Sequence, residues 1–120
     1  MAMRAAPAGL RETPMFDNLT PRDFVSRRAD GELWQLLDVR EPWEIEIASV
    51  EGSHRIPMGE IPARHRELDP ETPVAVLCHS GGRSARVADY LARQGFVRVA
   101  NIEGGIDAWS RECDPAIPHY

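Results

Sequence analysis

The chain of 120 residues contains only two cysteines, Cys78 and Cys113, and no run of about 18 consecutive apolar residues. Two cysteines are too few for a disulfide framework, and they stand in no paired metal-ligand spacing. The sequence therefore predicts no metal site and favours a reducing compartment. The first ten residues also lack the uninterrupted apolar segment of a secretory signal. We expect a cytoplasmic protein that does not act at a membrane.

The sequence also lacks a cluster of basic residues. Its 14 Lys and Arg residues are scattered and are outnumbered by 19 Asp and Glu residues, which gives a net charge of −5. This charge pattern argues against nucleic acid as a partner. A length of 120 residues fits one domain. We expect a flexible N-terminal arm over residues 1–14, where the sequence is aperiodic and contains proline, and a single domain over residues 15–120.

Predicted strands and helices alternate along the rest of the chain. Thr20 and Pro21 have the pattern of a helix N-cap followed by proline at the first helical position. Apolar runs predict strands within 33–39 and at 74–77, and an alternating pattern predicts a strand over 97–102. Residues 59–68 are a short helix candidate despite Pro62, helical spacing is found over 83–94, and a last helix follows Gly104 and Gly105. This order predicts an α/β fold with a mainly parallel sheet and helices on both faces.

The segment that follows the strand at 74–77 is the most informative part of the sequence. It places Cys78 between a strand and a helix, where unpaired backbone N–H groups at the helix N-terminus stabilise a thiolate. Gly81 and Gly82 have no Cβ atoms and allow the backbone to turn its N–H groups inward around an anion. Arg83 adds a fixed cation. The pattern predicts a nucleophilic sulfur that reacts with small anionic substrates.

Four segments together resemble the single-domain rhodanese-like sulfurtransferases. Each corresponds to a motif of that family, in the same order along the chain, and the resemblance covers about residues 19–109. The segments are Leu36-Leu37-Asp38-Val39-Arg40-Glu41, Gly52-Ser53-His54-Arg55-Ile56-Pro57, Cys78-His79-Ser80-Gly81-Gly82-Arg83-Ser84, and Asn101-Ile102-Glu103-Gly104-Gly105-Ile106-Asp107-Ala108-Trp109. The resemblance implies a three-layer rhodanese-like domain with a central, mainly parallel sheet.

The length of the cysteine loop carries chemical information within this resemblance. Four residues separate Cys78 from Arg83, whereas the related cell-cycle dual-specificity phosphatases have five residues between the corresponding cysteine and arginine. The shorter loop is similar to that of the sulfurtransferases. The chain departs from the family at residues 48–50, where Ala-Ser-Val replaces a usual Gly-His-Ile, and at Arg55, where Asn is usual.

The resemblance implies a sulfur-transfer cycle without a metal or organic cofactor. Cys78 would take the outer sulfur of a donor such as thiosulfate and hold it as a persulfide until a thiol or cyanide removes it. The partners would be a small anionic sulfur donor and a thiophilic acceptor, with a sulfur-relay protein as a further candidate. The loop residues would bind the substrate, with Ser84 and the backbone N–H groups against the sulfur: His79, Ser80, Gly81, Gly82, Arg83 and Ser84.

Other polar residues receive supporting or peripheral roles. We assign Asp38 and Arg40 to a structural pair or loop brace, because a carboxylate beside an anion-binding thiolate would repel the substrate. For His79 we expect contact at the rim of the loop. Arg83 has two interpretations, contact with the donor and a salt bridge that braces the loop. Cys113 has two interpretations: it could resolve a persulfide or sulfenate on Cys78 as a disulfide, which requires Cα atoms within about 7 Å, or it is solvent-exposed and takes no part in the chemistry, which we favour.

Three other functions remain open from the sequence. Rhodanese-like domains also occur as interaction or regulatory modules without turnover, although those usually lack the cysteine. An enzyme that acts on arsenate or phosphate would use a similar loop, and the loop length disfavours phosphate. A sulfur carrier, loaded by one partner protein and unloaded by another, would use the same chemistry on Cys78.

Overall fold

The computed structural model describes residues 15–120. The N-terminal arm predicted for residues 1–14 lies outside the described residues. Five parallel strands form one sheet in the order β1-β5-β4-β2-β3. The strands are β1 (Asp17–Leu19), β2 (Gln35–Asp38), β3 (His54–Arg55), β4 (Val74–Leu77) and β5 (Val99–Ile102).

Helices cover both faces of this sheet, as the sequence predicted. They are α1 (Pro21–Ala29), α2 (Pro42–Ile47), α3 (Ile61–Arg64), α4 (Gly82–Arg93) and α5 (Gly105–Glu112), with short 3₁₀ turns at Met58–Glu60 and His65–Glu67. Thr20 caps α1 through its side chain, which accepts the N–H of Asp23, and Pro21 opens the helix. In the central strands β4 and β5 every residue is buried. The α/β three-layer architecture is therefore confirmed.

The apolar core consists of two clusters, one on each face of the sheet. On one face α4 packs Val87, Ala88 and Leu91 against Val74 and Val76 of β4. The other cluster lies under α1 and α5 and contains Phe24, Leu36, Ala75, Leu77, Ala100, Ile102, Ile106 and Trp109. Adjacent residues of β4 thus point into different clusters, because side chains alternate between the two faces of a strand. The central strand that leads to Cys78 is anchored from both sides.

Two local predictions need correction, and one strand was missed. The strand predicted over 97–102 begins at Val99, and its burial does not alternate because helices cover both faces. The helix predicted within 59–68 is a single α-helical turn between two 3₁₀ turns. The sequence analysis did not find β1, whose three residues pair with Ala100, Asn101 and Ile102 at the sheet edge. Within residues 15–120, no helix is long and apolar enough to span a membrane.

Candidate functional site

The loop around Cys78 lies at the carboxyl end of β4, in the middle of the sheet. Cys78 directly follows β4, and α4 begins at Gly82. Gly81 is the N-cap of α4 and has a φ of 108°, in the left-handed region that a residue with a Cβ rarely adopts. No side chain caps this helix, and its first backbone N–H groups have no partner within the helix. In open α/β sheets, ligands bind at this edge.

The sulfur of Cys78 has two hydrogen-bond partners within the loop. The backbone N–H of Gly81 donates to Sγ at 3.0 Å, and the Ser84 hydroxyl lies 3.2 Å from Sγ. Cys78 is only 1% exposed. A donor group at these positions stabilises a negative charge on sulfur. The structure thus places Gly81 and Ser84 next to the thiol, and their contact with a bound substrate stays a prediction.

A chain of polar side chains continues from Ser84 away from the sulfur. The Ser84 hydroxyl lies 2.5 Å from Oδ1 of Asn101, and Nδ2 of Asn101 donates to Oδ1 of Asn18 at 3.1 Å. A hydroxyl has one proton, so Ser84 donates either to Asn101 or to Cys78 at one time. Asn101, which is buried in β5, thereby restricts the orientation of the group that contacts the sulfur.

The start of α5 holds the loop from behind. The N–H groups of Ile106 and Asp107 donate to the carbonyl oxygens of Cys78 and His79 at 2.9 and 3.1 Å. These bonds direct the loop carbonyls toward α5. Gly105 makes the approach possible, because a Cβ at this position would lie 2.5 Å from the Cys78 carbonyl oxygen and closer still to that of His79. The Gly-Gly turn thus helps to orient the cysteine loop.

Arg83 forms a salt bridge with Glu44. Its two Nη atoms donate to the two carboxylate oxygens of Glu44 at 2.7 and 2.8 Å. Hydrogen bonding from Arg83 lowers the pKa of Glu44 to about 2, and the same hydrogen bonds raise the pKa of Arg83. The Arg83 side chain is 32% exposed, whereas Glu44 is buried. The sequence analysis gave two interpretations of Arg83, contact with the donor and a salt bridge that braces the loop. The structure contains the salt bridge.

Glu44 is itself fixed by neighbouring groups. The backbone N–H of Glu41 donates to its Oε1, and the hydroxyl of Tyr120 donates to its Oε2, both at 2.9 Å. Burial raises the pKa of Tyr120, which keeps the phenol protonated as a donor. The Tyr120 hydroxyl also accepts from Nη1 of Arg40 at 2.9 Å. Tyr120 thus joins Glu44 to Arg40.

Asp38 and Arg40 form a buried ion pair beneath this cluster. Nη2 of Arg40 donates to Oδ2 of Asp38 at 2.7 Å, and its Nε lies 3.0 Å from Oδ1. Nη2 also donates to the carbonyl oxygen of Ala48 at 2.7 Å. Both charged side chains are fully buried. The pair connects the end of β2 to the segment after α2. Glu44 lies on α2.

The remaining residues of the cysteine loop, His79, Ser80 and Gly82, lie at its rim. Ser80 and Gly82 are exposed. The His79 ring stacks on the Tyr120 ring, with centroids 4.0 Å apart and planes 11° from parallel. We expected Cys113 to be solvent-exposed. It is instead partly buried and packs against the core under α1 and α5. Burial raises the pKa of its thiol.

The sequence analysis missed Glu44, Asn101 and Tyr120 as parts of the site. The sequence does contain one signal for Glu44: a glutamate three residues after Glu41 forms a capping box at the start of α2. That pattern accounts for the helix and does not reveal the contact with Arg83. Among residues 15–120 there is no group of three His, Cys, Asp or Glu side chains placed to hold a metal.

Chemically, this arrangement combines a thiol, a backbone N–H group and a hydroxyl that contact it, and an arginine at one sheet edge. The rhodanese-like domain model matches residues 20–112. The chain belongs to the rhodanese-like domain family. This match includes the cysteine loop, Glu44 and Asn101, and it ends before Tyr120.

The relatives differ in length from this rhodanese-like chain. It is 50% identical over 90 residues to rhodanese-like/PpiC domain-containing protein 12 of Arabidopsis thaliana, a match over 72% of this chain and 30% of that protein. A sulfurtransferase of Allochromatium vinosum is 36% identical over 103 residues, which cover 86% of this chain and 96% of that protein. A rhodanese-related protein of Thermoplasma volcanium has 28% identity and a TM-score of 0.76, over 88% of this chain and 100% of that structure.

The Glu44 carboxylate gives this rhodanese-like domain a testable pH response. Its pKa falls from 4.5 to about 2 because of Arg83, so its contribution to stability is complete above pH 4.5 and is lost as pH falls toward 2. We expect Glu44→Gln to reduce the free energy of unfolding by about 1–3 kcal/mol at pH 7. Denaturant titrations should show this difference shrinking below pH 4. A constant difference between pH 7 and pH 2.5 would contradict the assignment.

Proposed function

We propose that the protein is a sulfurtransferase in which Cys78 carries the transferred sulfur as a persulfide. The observation that supports this proposal is the position of Sγ, with the Gly81 N–H at 3.0 Å and the Ser84 hydroxyl at 3.2 Å. The same groups would stabilise a persulfide anion. The sulfurtransferase of Allochromatium vinosum, which this chain covers nearly end to end, supports the same reaction class.

The reaction with thiosulfate proceeds by double displacement. The Cys78 thiolate attacks the outer sulfur, a new sulfur–sulfur bond forms, and the bond to the sulfonate sulfur breaks to release sulfite. The enzyme then carries Cys-S-S⁻. Cyanide or a thiolate attacks the terminal sulfur in the second step and restores the Cys78 thiolate, with thiocyanate or a new persulfide as the product. Charge and electrons balance in both steps without a metal or organic cofactor.

The loop length supports sulfur over phosphorus chemistry. Only four residues lie between Cys78 and Arg83, and the resemblance stated above associates the longer, five-residue loop with phosphatases. We propose a sulfane-sulfur donor such as thiosulfate and a thiophilic acceptor as the substrates.

A two-substrate assay tests this function. The full chain is incubated with thiosulfate and cyanide, and thiocyanate is measured; p-nitrophenyl phosphate is tested in parallel. We expect saturable thiocyanate formation and no phosphate release above the buffer rate. Phosphate release without thiocyanate would overturn the proposal in favour of an oxyanion enzyme. The absence of both products, and of any persulfide on Cys78, would favour an interaction module without turnover.

Removal of Arg83 tests its contact with the donor. We expect Arg83→Ala to raise KM for thiosulfate about 10-fold and to change kcat less, because the arginine binds sulfonate oxygens that are present before and during the transfer. The measurement is initial thiocyanate formation over a range of thiosulfate concentrations. Arg86→Ala is the matched control, since Arg86 is an exposed arginine on the same helix. An unchanged KM in Arg83→Ala would limit Arg83 to bracing the loop.

The place of the protein in sulfur metabolism is a separate part of the proposal. Because the Cys78 persulfide is formed and used in two independent steps, a partner protein could supply or receive the sulfur in place of thiosulfate or cyanide. Transfer from a persulfide-bearing protein to Cys78, followed by mass spectrometry, would distinguish a sulfur-relay role from the use of small donors.

A further inference from the structure

Arg83, the cation of the cysteine loop, is already paired with a carboxylate. Arg83 contributes one positive charge and Glu44 one negative charge, and Asp38 neutralises Arg40 in the same way. The charges of these four side chains therefore sum to zero beside the Cys78 loop. The whole chain carries a net charge of −5. An approaching anion consequently meets oriented N–H groups and a neutralised arginine.

Glu44 cannot easily withdraw from this position. Its carboxylate accepts four hydrogen bonds, from both Nη atoms of Arg83, from the Tyr120 hydroxyl and from the Glu41 N–H. Glu44 is 3% exposed, and its lowered pKa keeps it ionised at neutral pH. Rotation away from Arg83 would break several of these bonds at once and leave a buried charge without a partner. The negative charge is a permanent feature of the site.

We propose that Glu44 is a specificity-determining residue that disfavours doubly charged sulfur donors and shifts the preference of the site toward donors with a single negative charge. The inference rests on the proposed function, in which Arg83 contacts the donor. A dianion interacts more strongly than a monoanion with every charge of the site, so the repulsion from Glu44 is larger for the dianion. Donors that share a thiosulfonyl group present the same reacting sulfur to Cys78.

Thiosulfate and methanethiosulfonate provide such a pair of donors. Thiosulfate carries two negative charges and leaves as sulfite after the outer sulfur has moved to the Cys78 thiolate. Methanethiosulfonate carries one negative charge and leaves as methanesulfinate after the same bond exchange. In both reactions the S–S bond of the donor breaks, a new S–S bond forms at Cys78, and the total charge is conserved. The donors differ in charge and in one substituent, because a methyl group of methanethiosulfonate replaces one oxygen of thiosulfate.

The test compares the full chain with its Glu44→Gln variant for both donors, with cyanide as acceptor. Glutamine keeps the size of the side chain and one acceptor for Arg83 but removes the charge. We expect KM for thiosulfate to fall about fivefold, while KM for methanethiosulfonate changes by less than about twofold. A rise in KM for thiosulfate, or an equal fall in kcat for both donors, would overturn the proposal, because Glu44 would then act only by positioning Arg83.

A matched control separates a local effect from the overall charge of the chain. Glu46 is exposed and lies on the same short helix as Glu44, and Glu46→Gln makes the same change in net charge. We expect Glu46→Gln to leave the ratio of the two KM values unchanged. If this control shifted the ratio as much as Glu44→Gln, the preference would be a property of the whole surface and the inference would be wrong.

A binding measurement distinguishes this inference from the proposed function. Thiosulfate is titrated by calorimetry into Cys78→Ser and into Cys78→Ser combined with Glu44→Gln, neither of which needs turnover. We expect tighter binding, by about fivefold, when Glu44 is replaced. Tighter binding without any sulfur transfer by the unmodified chain would overturn the sulfurtransferase function and leave the charge role of Glu44 intact. Equal or weaker binding would overturn the charge role.

Discussion

Replacement of Cys78 by serine should reduce sulfur transfer to the rate of the buffer. A serine hydroxyl is a much weaker nucleophile than a thiolate and cannot form a persulfide. We expect a loss of at least about 10³-fold in thiocyanate formation, as is usual when a covalent nucleophile is removed. Because Gly81 can donate its N–H to the serine oxygen as it does to Sγ, the loop should keep its structure. Thermal unfolding should show a change of about 1–2 kcal/mol in stability.

Cys113→Ser is the matched control for this substitution. Cys113 packs under α1 and α5, against the core of the other face of the sheet from Cys78, so its loss should leave the rate of sulfur transfer within about twofold. Retention of transfer in the Cys78→Ser protein would contradict the proposed mechanism. A loss of transfer in both variants would implicate a cysteine pair.

The second large effect is expected for Gly105→Ala. Gly105 has a φ of 60°, and an added Cβ would lie 2.5 Å from the carbonyl oxygen of Cys78. Relief of this overlap requires α5 to move away from the loop, which breaks the hydrogen bonds from Ile106 and Asp107 to the loop carbonyls. We expect a loss of about 3 kcal/mol or more in the free energy of unfolding. Activity should fall further than stability alone explains, because the cysteine loop is displaced.

Two other glycines separate the causes of this effect. Gly95 has a φ of 91° but open space around an added Cβ, and Gly59 has open space without a positive φ. Denaturant unfolding should rank the alanine variants, with Gly59→Ala nearly neutral, Gly95→Ala destabilised by about 1–2 kcal/mol and Gly105→Ala destabilised most. Equal losses for Gly95→Ala and Gly105→Ala would show that the close approach to the loop carbonyls is unimportant.

Local sequence signals were sufficient for the fold class and for the cysteine loop. The buried strand before Cys78, the Gly81-Gly82 turn and the helix after it are close in sequence, so composition and periodicity reveal them. Strand β1 was missed because its three residues form a strand by pairing with β5. Backbone pairing between distant segments leaves little trace in the propensity of a short strand.

The contacts that surround the loop were harder to predict for the same reason. Glu44 lies 39 residues before Arg83, and Tyr120 lies 76 residues after Glu44. The sequence does not show whether a glutamate is buried or exposed. For Glu44 only the packing of α2 against the loop decides this. Cys113 was placed incorrectly because its partial burial depends on α1 and α5 packing together. Long-range packing therefore decides the electrostatics of the site.

The most direct test of the account is the intact mass of the protein after incubation with thiosulfate. We predict a gain of about 32 Da, the mass of one sulfur atom, that is absent in Cys78→Ser and disappears when cyanide is added. Cys113→Ser should show the same gain as the unmodified chain. An adduct that persists in Cys78→Ser, or one that cyanide does not remove, would contradict a persulfide cycle on Cys78.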